Sequence, residues 1–210
     1  MADINDDWAD YAATATAALA QNVKDMTSYG SLPANVALGL ADQYKITNDW
    51  LSTDVGQLEI IFTMLSGTTD VGIQAAMQHP YSRGTIMINS TDAFSPPVID
   101  PRYLGLGYDV DIIRLGILFA RKLSQTAPMN ALTLKEIGTS AGLVDDALNA
   151  WIGATGGTEY HPLGTCSMLP QAKGGVVDTK LIVRAPTIPV VHPRLATDSP
   201  FHPPSVSPFP

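Results

Sequence analysis

The sequence predicts an α+β fold: an antiparallel sheet covered by helices. Three observations carry this expectation. The run Leu58 to Leu65 is rich in β-branched and aromatic residues and bounded by glycines; residues 84–91 alternate in polarity; and Ile112, Leu115, Phe119 and Leu123 form a helical stripe that needs a sheet to cover. No complete strand, Gly-x-Gly-x-x-Gly turn and helix unit is found, so a doubly wound parallel sheet is not expected.

Taken in order, Trp8, Tyr11, Ala15, Leu19, Val23 and Met26 recur at helical spacing in an alanine-rich context, which predicts a helix over about residues 6–26. The segment from Gly30 to Pro33 breaks it. A shorter helix is expected from Ala34 to Tyr44, ending before a turn at Thr47-Asn48-Asp49-Trp50. Strands follow over 58–65 and 84–91. The segment Ser95 to Pro101 carries too many prolines for an inner strand and is expected at an edge or in an extended loop. Asp109 is positioned to cap the long helix, with Arg114, Arg121 and Lys122 turned away from its apolar stripe. A helix over 144–152 and a strand over 176–183 complete the series.

The domain reading is residues 1–184 as one folded unit and residues 185–210 as a proline-rich tail. Eight of the 16 prolines fall in the final 25 residues, a density that rules out a regular helix or inner strand there. With 45% hydrophobic and 15% charged residues, the remainder has an ordinary globular composition. A net charge of −8 argues against nucleic acid or an anionic membrane surface as partner, because phosphate binding relies on clustered Lys and Arg. No apolar run approaches the roughly 20 residues of a membrane span. The acidic start Met-Ala-Asp-Ile-Asn-Asp-Asp is unlike an export signal, and the compartment stays open. Asn89-Ser90-Thr91 is a glycosylation sequon that matters only on export.

The most specific stretch is EYHPLGTCSMLPQAKGGVVD, residues 159–178. It resembles the C-terminal signature of the glucose-methanol-choline (GMC) oxidoreductases, and its Cys-Ser-Met and Gly-Gly wording leans toward glucose oxidase and aryl-alcohol oxidase. The order of elements over about residues 8–183 is similar to the substrate-binding half of that family, including Tyr81-Ser82-Arg83-Gly84 and Ile99-Asp100-Pro101-Arg102-Tyr103. Past Val183 the resemblance stops. Family members continue with an Asn-Leu-Arg-Val-Val-Asp-like string, so the chain is expected to be a truncated family fragment whose tail is not family sequence.

The resemblance implies oxidation of a CH–OH group on an alcohol or sugar, with hydride passing to flavin adenine dinucleotide (FAD) and the hydroxyl proton to a histidine. The matching residue is His161. Imidazole titrates near neutral pH, which suits a general base. Pro162 holds His161 extended, and Gly164 permits a sharp path that would aim the ring into a pocket. Spacing alone favours a histidine in a polar loop; the surrounding motif reverses that preference. No cofactor-binding residue is assigned. Gly105-Leu106-Gly107 lacks a third glycine and reads as a turn ahead of the long helix.

Other candidates are weaker. Cys166 has no adjacent base and reads as a small buried residue. Ser167 lacks a Gly-x-Ser-x-Gly elbow, which argues against a hydrolase. His79 reads as the end of a segment, Arg83 as a surface charge and Tyr103 as a core aromatic. Ile182 stands where the family strand usually has arginine, which puts a flavin-side contact there in doubt. No metal site is expected from one cysteine and four scattered histidines, His192 and His202 lying in the tail. The chain alone is expected neither to bind FAD nor to turn over. Its rivals are a non-catalytic module that pairs with a separate flavin-binding domain, and a nonfunctional product of a broken gene.

Overall fold

A computed structural model describes residues 33–64, 67–132, 135–138 and 140–184. The predicted helix over 6–26 and the tail from 185 lie outside the described residues. Helix α1 spans Ala34–Trp50, strand β1 Leu58–Met64, β2 Val71–Met77, β3 Thr85–Met87, β4 Val98–Asp100, helix α2 Gly107–Ser124 and helix α3 Asp145–Thr155. The fold is α+β with antiparallel pairing, as the sequence predicts, but the strands form two separate two-stranded sheets.

Helix α1 runs six residues beyond the expected end. Leu40, Tyr44, Thr47 and Leu51 fall on one face at helical spacing and are buried. That face gains by continuing through the expected turn. Thr47 Oγ1 donates back to the Gln43 carbonyl at 3.0 Å, and Lys45 pairs with Asp49 one turn on.

Strands β1 and β2 pair with Leu58 opposite Met77 and Met64 opposite Val71. Sequence reasoning misses β2, because Gly72, Gln74, Ala75 and Ala76 carry no strand propensity of their own. Those small side chains serve the helix that covers them. A Cβ added at Gly116 of α2 would lie 2.8 Å from Ala75 Cβ and 3.1 Å from Leu58 Cδ1, so helix and hairpin meet nearly backbone to side chain. Strands β3 and β4 pair Ile86 with Ile99, three residues each. This is shorter than the expected 84–91, and both strands are edges, where the neighbouring Pro96 and Pro97 are tolerated.

Asp109 does not cap its own helix; Leu106 stands at the N-cap position without a side-chain bond. Instead the Asp109 carboxylate is buried and accepts from the backbone amides of Tyr81 and Ser82, each at 2.8 Å. Burial pushes its pKa above the ordinary 3.8, against the lowering pull of these hydrogen bonds. Around it Tyr44 and Tyr81 stack at 5.6 Å, Tyr108 meets Tyr81 edge-on at 4.7 Å, and Tyr44 Oη donates to the Tyr81 carbonyl at 2.6 Å. Burial raises the Tyr44 and Tyr81 phenols to about 12, so both stay neutral donors.

The buried line of α2 is Asp109, Ile112 and Gly116, while Phe119 of the expected stripe is exposed. Arg121 does not face away. Its guanidinium takes Glu136 with two bonds at 2.9 and 3.0 Å and donates to the Ser140 and Leu143 carbonyls at 2.7 Å each, tying the segment ahead of α3 to α2. Helix α3 contains nearly all of the expected 144–152 and buries Leu148 and Ile152. The predicted strand over 176–183 is replaced by one bridge between Val177 and Val183 around a tight loop. There Asp178 Oδ1 takes the amides of Lys180 and Ile182, which a ladder would have used.

Two outcomes follow from this packing. Asp109→Ala leaves a buried amide at Tyr81 without an acceptor and should cost about 1–3 kcal/mol in denaturant unfolding. Because the folded pKa of Asp109 lies above its unfolded value, its ionisation favours the unfolded chain, so the gap between wild type and Asp109→Ala should narrow as pH rises from 3.8 upward. Gly116→Ala should cost about 1–3 kcal/mol through overpacking against Ala75, read as a lower denaturation midpoint at unchanged slope.

Candidate functional site

The signature segment leaves α3 at Gly156, whose amide donates to the Ile152 carbonyl at 2.7 Å and whose Cα side faces Leu104. Thr158 Oγ1 then accepts the Tyr160 amide at 2.9 Å. Tyr160 takes a left-handed backbone at φ 65°, uncommon for a bulky residue, and Gly164 lies at φ 109°. Between these two points the chain carries His161.

All residues from Tyr160 to Cys166 are exposed, with Tyr160 at 85% and Leu163 at 92%. His161 therefore stands on an open surface and makes no hydrogen bond among the described residues. The described residues do not close the expected pocket around it. Cys166 is exposed, which corrects its reading as a buried residue: it belongs to the outward loop, and the buried positions come later, at Gly175 and Val177.

The loop is fixed from its far end. The Ser167 carbonyl accepts the Val176 amide at 2.9 Å, and the Pro170 carbonyl accepts from Lys173 and Gly175 at 2.8 and 3.1 Å. A Cβ at Gly175 would fall 1.7 Å from the Leu169 carbonyl oxygen, so only glycine fits that position. The short helical turn Gln171–Lys173 packs on α1, where a Cβ at Gly39 would meet the Lys173 carbonyl and where Lys173 pairs with Asp42. Sequence reasoning quotes the Gly-Gly pair as a turn but misses Gly39, Asp42 and Lys173. Their only signal is a small residue and two opposite charges 131 positions apart at the ion pair.

The remaining candidates separate. His79 lies in the bend after β2, as predicted, with its ring 4.7 Å from Trp50. Arg83 is not a free surface charge: it is half-buried, 5.4 Å above the Tyr44 ring. Tyr103 is 51% exposed and so not a core aromatic. Ile182 is exposed in the Asp178 loop. Among the described residues no three His, Cys, Asp or Glu are grouped to hold a metal ion, and no helix is long and apolar enough to cross a membrane.

A pyrophosphate needs free backbone amides at a helix N-terminus with no carboxylate in the way. At the start of α2 the Leu106 amide is taken by Ser82 Oγ at 3.1 Å, the Asp109 amide by the Leu106 carbonyl, and the Asp109 carboxylate sits within the first turn. The start of α2 therefore does not fit the phosphate part of a dinucleotide.

Comparison with known proteins decides the family. The C-terminal family model described as GMC oxidoreductase matches residues 80–187. This chain belongs to the GMC oxidoreductases. A Malassezia sympodialis protein named GMC oxidoreductase family protein Mala s 12 is 36% identical over 158 residues, 74% of this chain and 25% of that protein. A pyranose dehydrogenase of Agaricus campestris is 33% identical over 108 residues, 50% of this chain and 18% of its own length. The structure of a fungal aryl-alcohol oxidase matches with a TM-score of 0.63 at 27% identity, covering 83% of this chain and 29% of that one. An FAD-dependent oxidoreductase from Chaetomium thermophilum shares the fold, with a TM-score of 0.67 at 21% identity, over 84% of this chain and 29% of its own. The chain thus spans about a quarter of the length of these GMC oxidoreductases.

The far-end anchor gives a direct check. Gly175→Ala should destabilise the chain by about 1–3 kcal/mol or more. It should also speed amide exchange over 167–177 more than in the α2 and β1–β2 unit.

Proposed function

We propose that this chain forms the substrate side of a GMC oxidoreductase that oxidises CH–OH groups of alcohols or sugars, with His161 as the base that takes the hydroxyl proton. The observation that carries this reading is the HPLGTCSM loop, anchored at both ends and holding His161 exposed on a surface that the described residues leave open. An imidazole so held can meet a substrate delivered between this face and another wall. FAD, bound outside the described residues, supplies the electron acceptor. The electron sink, the second wall and the exclusion of water then come from a flavin-bearing polypeptide, continuous with this chain or separate from it. Exposed apolar side chains such as Phe62, Met64, Ile86, Ile99 and Leu163 favour such a covered partner face over an independently soluble module.

Two measurements test the reading. The isolated chain, titrated with FAD, should retain no flavin absorbance, whereas stoichiometric binding would remove the need for a partner. With the flavin-bearing portion supplied in cis or in trans, His161→Gln should lower kcat on alcohols by about a hundred- to ten-thousandfold while leaving bound flavin unchanged. A loss of less than tenfold would exclude His161 as the base. Co-purification of a separate flavin-bearing polypeptide with the wild-type chain would identify the in-trans arrangement.

A further inference from the structure

The sequon Asn89-Ser90-Thr91 is the single Asn-x-Ser/Thr triplet in the sequence, and its middle residue is not proline. The fold sets it just beyond β3, in the loop that joins β3 to β4. All three residues are exposed. Neither the Asn89 carboxamide nor the Thr91 hydroxyl makes a hydrogen bond among the described residues, so the acceptor amide and the hydroxyl that must engage the transferase are both free. The backbone then turns away at once: Ser90 Oγ accepts the Asp92 amide at 3.1 Å, and Asp92 Oδ1 accepts the Phe94 amide at 3.0 Å. This turn presents Asn89 at the edge of the loop. It also leaves Ile88 and Phe94 at 87% and 95% exposure on either side.

We propose that Asn89 is the acceptor of an asparagine-linked oligosaccharide when the chain passes through a secretory lumen. The reaction joins the Asn89 carboxamide nitrogen to the anomeric carbon of a lipid-pyrophosphate-linked oligosaccharide. The bond from that carbon to the pyrophosphate oxygen breaks, and the amide proton leaves with the lipid pyrophosphate. The attached sugar is bulky and solubilising, and it stands where Ile88 and Phe94 would otherwise meet water. The inference is independent of the role of His161.

The full chain, preceded by a cleavable export signal, is translated with microsomal vesicles, and only material protected from added protease is analysed. One upward mass step is expected. An amidase that releases the sugar should reverse it and leave aspartate at position 89, identified by peptide mass. Asn89→Gln and Thr91→Ala should each abolish the step, and Phe94→Ser should retain it. A protected wild-type chain without the step would overturn the proposal. So would a step that survives either Asn89→Gln or Thr91→Ala.

Discussion

A buried carboxylate organises this domain. Asp109, in the first turn of α2, accepts the amides of Tyr81 and Ser82, and through Tyr81 it reaches the Tyr44 ring and hydroxyl on α1. Without that acceptor two neighbouring amides would have to settle beside aromatic rings, where unmet polar groups cost most. The crossing of α1, the 80–84 segment and α2 follows from it. The β3–β4 ribbon then leaves this crossing through Gly84, a position where a Cβ would meet the Asp100 carbonyl oxygen at 2.2 Å.

The histidine loop hangs between two further anchors. One is the end of α3, where Gly156 lies against Leu104. The other is the closed turn from Ser167 to Val177, pressed onto α1 at Gly39 and Asp42. Rigid ends with an exposed middle suit a loop whose task is to present a side chain to something else. The same division appears over the described residues, where a small aromatic and aliphatic core coexists with many exposed apolar side chains.

Much of the fold was legible in residue patterns, and the misses share a cause. The helix at 109 is legible from its apolar stripe, the first strand from its β-branched and aromatic run between glycines, and the helix at 34 from the glycine and proline that precede it. Strand β2 is not, since its Gly72, Ala75 and Ala76 are chosen to admit α2 rather than to favour a strand. Asp109 looked like a cap, because an acidic residue near a helix start usually bonds locally. Its true partners are 27 and 28 residues away, and nothing in the local sequence points to them. Arg121 was misplaced for the same reason.

The sequence by itself determined the family and singled out His161 as the proposed base, because the family signature is written in contiguous residues. Tertiary structure alone decided where that loop ends up: exposed among the described residues, and held beyond Ser167 by the Gly-Gly turn that packs on α1. Exposure depends on which distant surfaces come together or stay apart. That is a property of long-range packing, which a local string of residues does not encode.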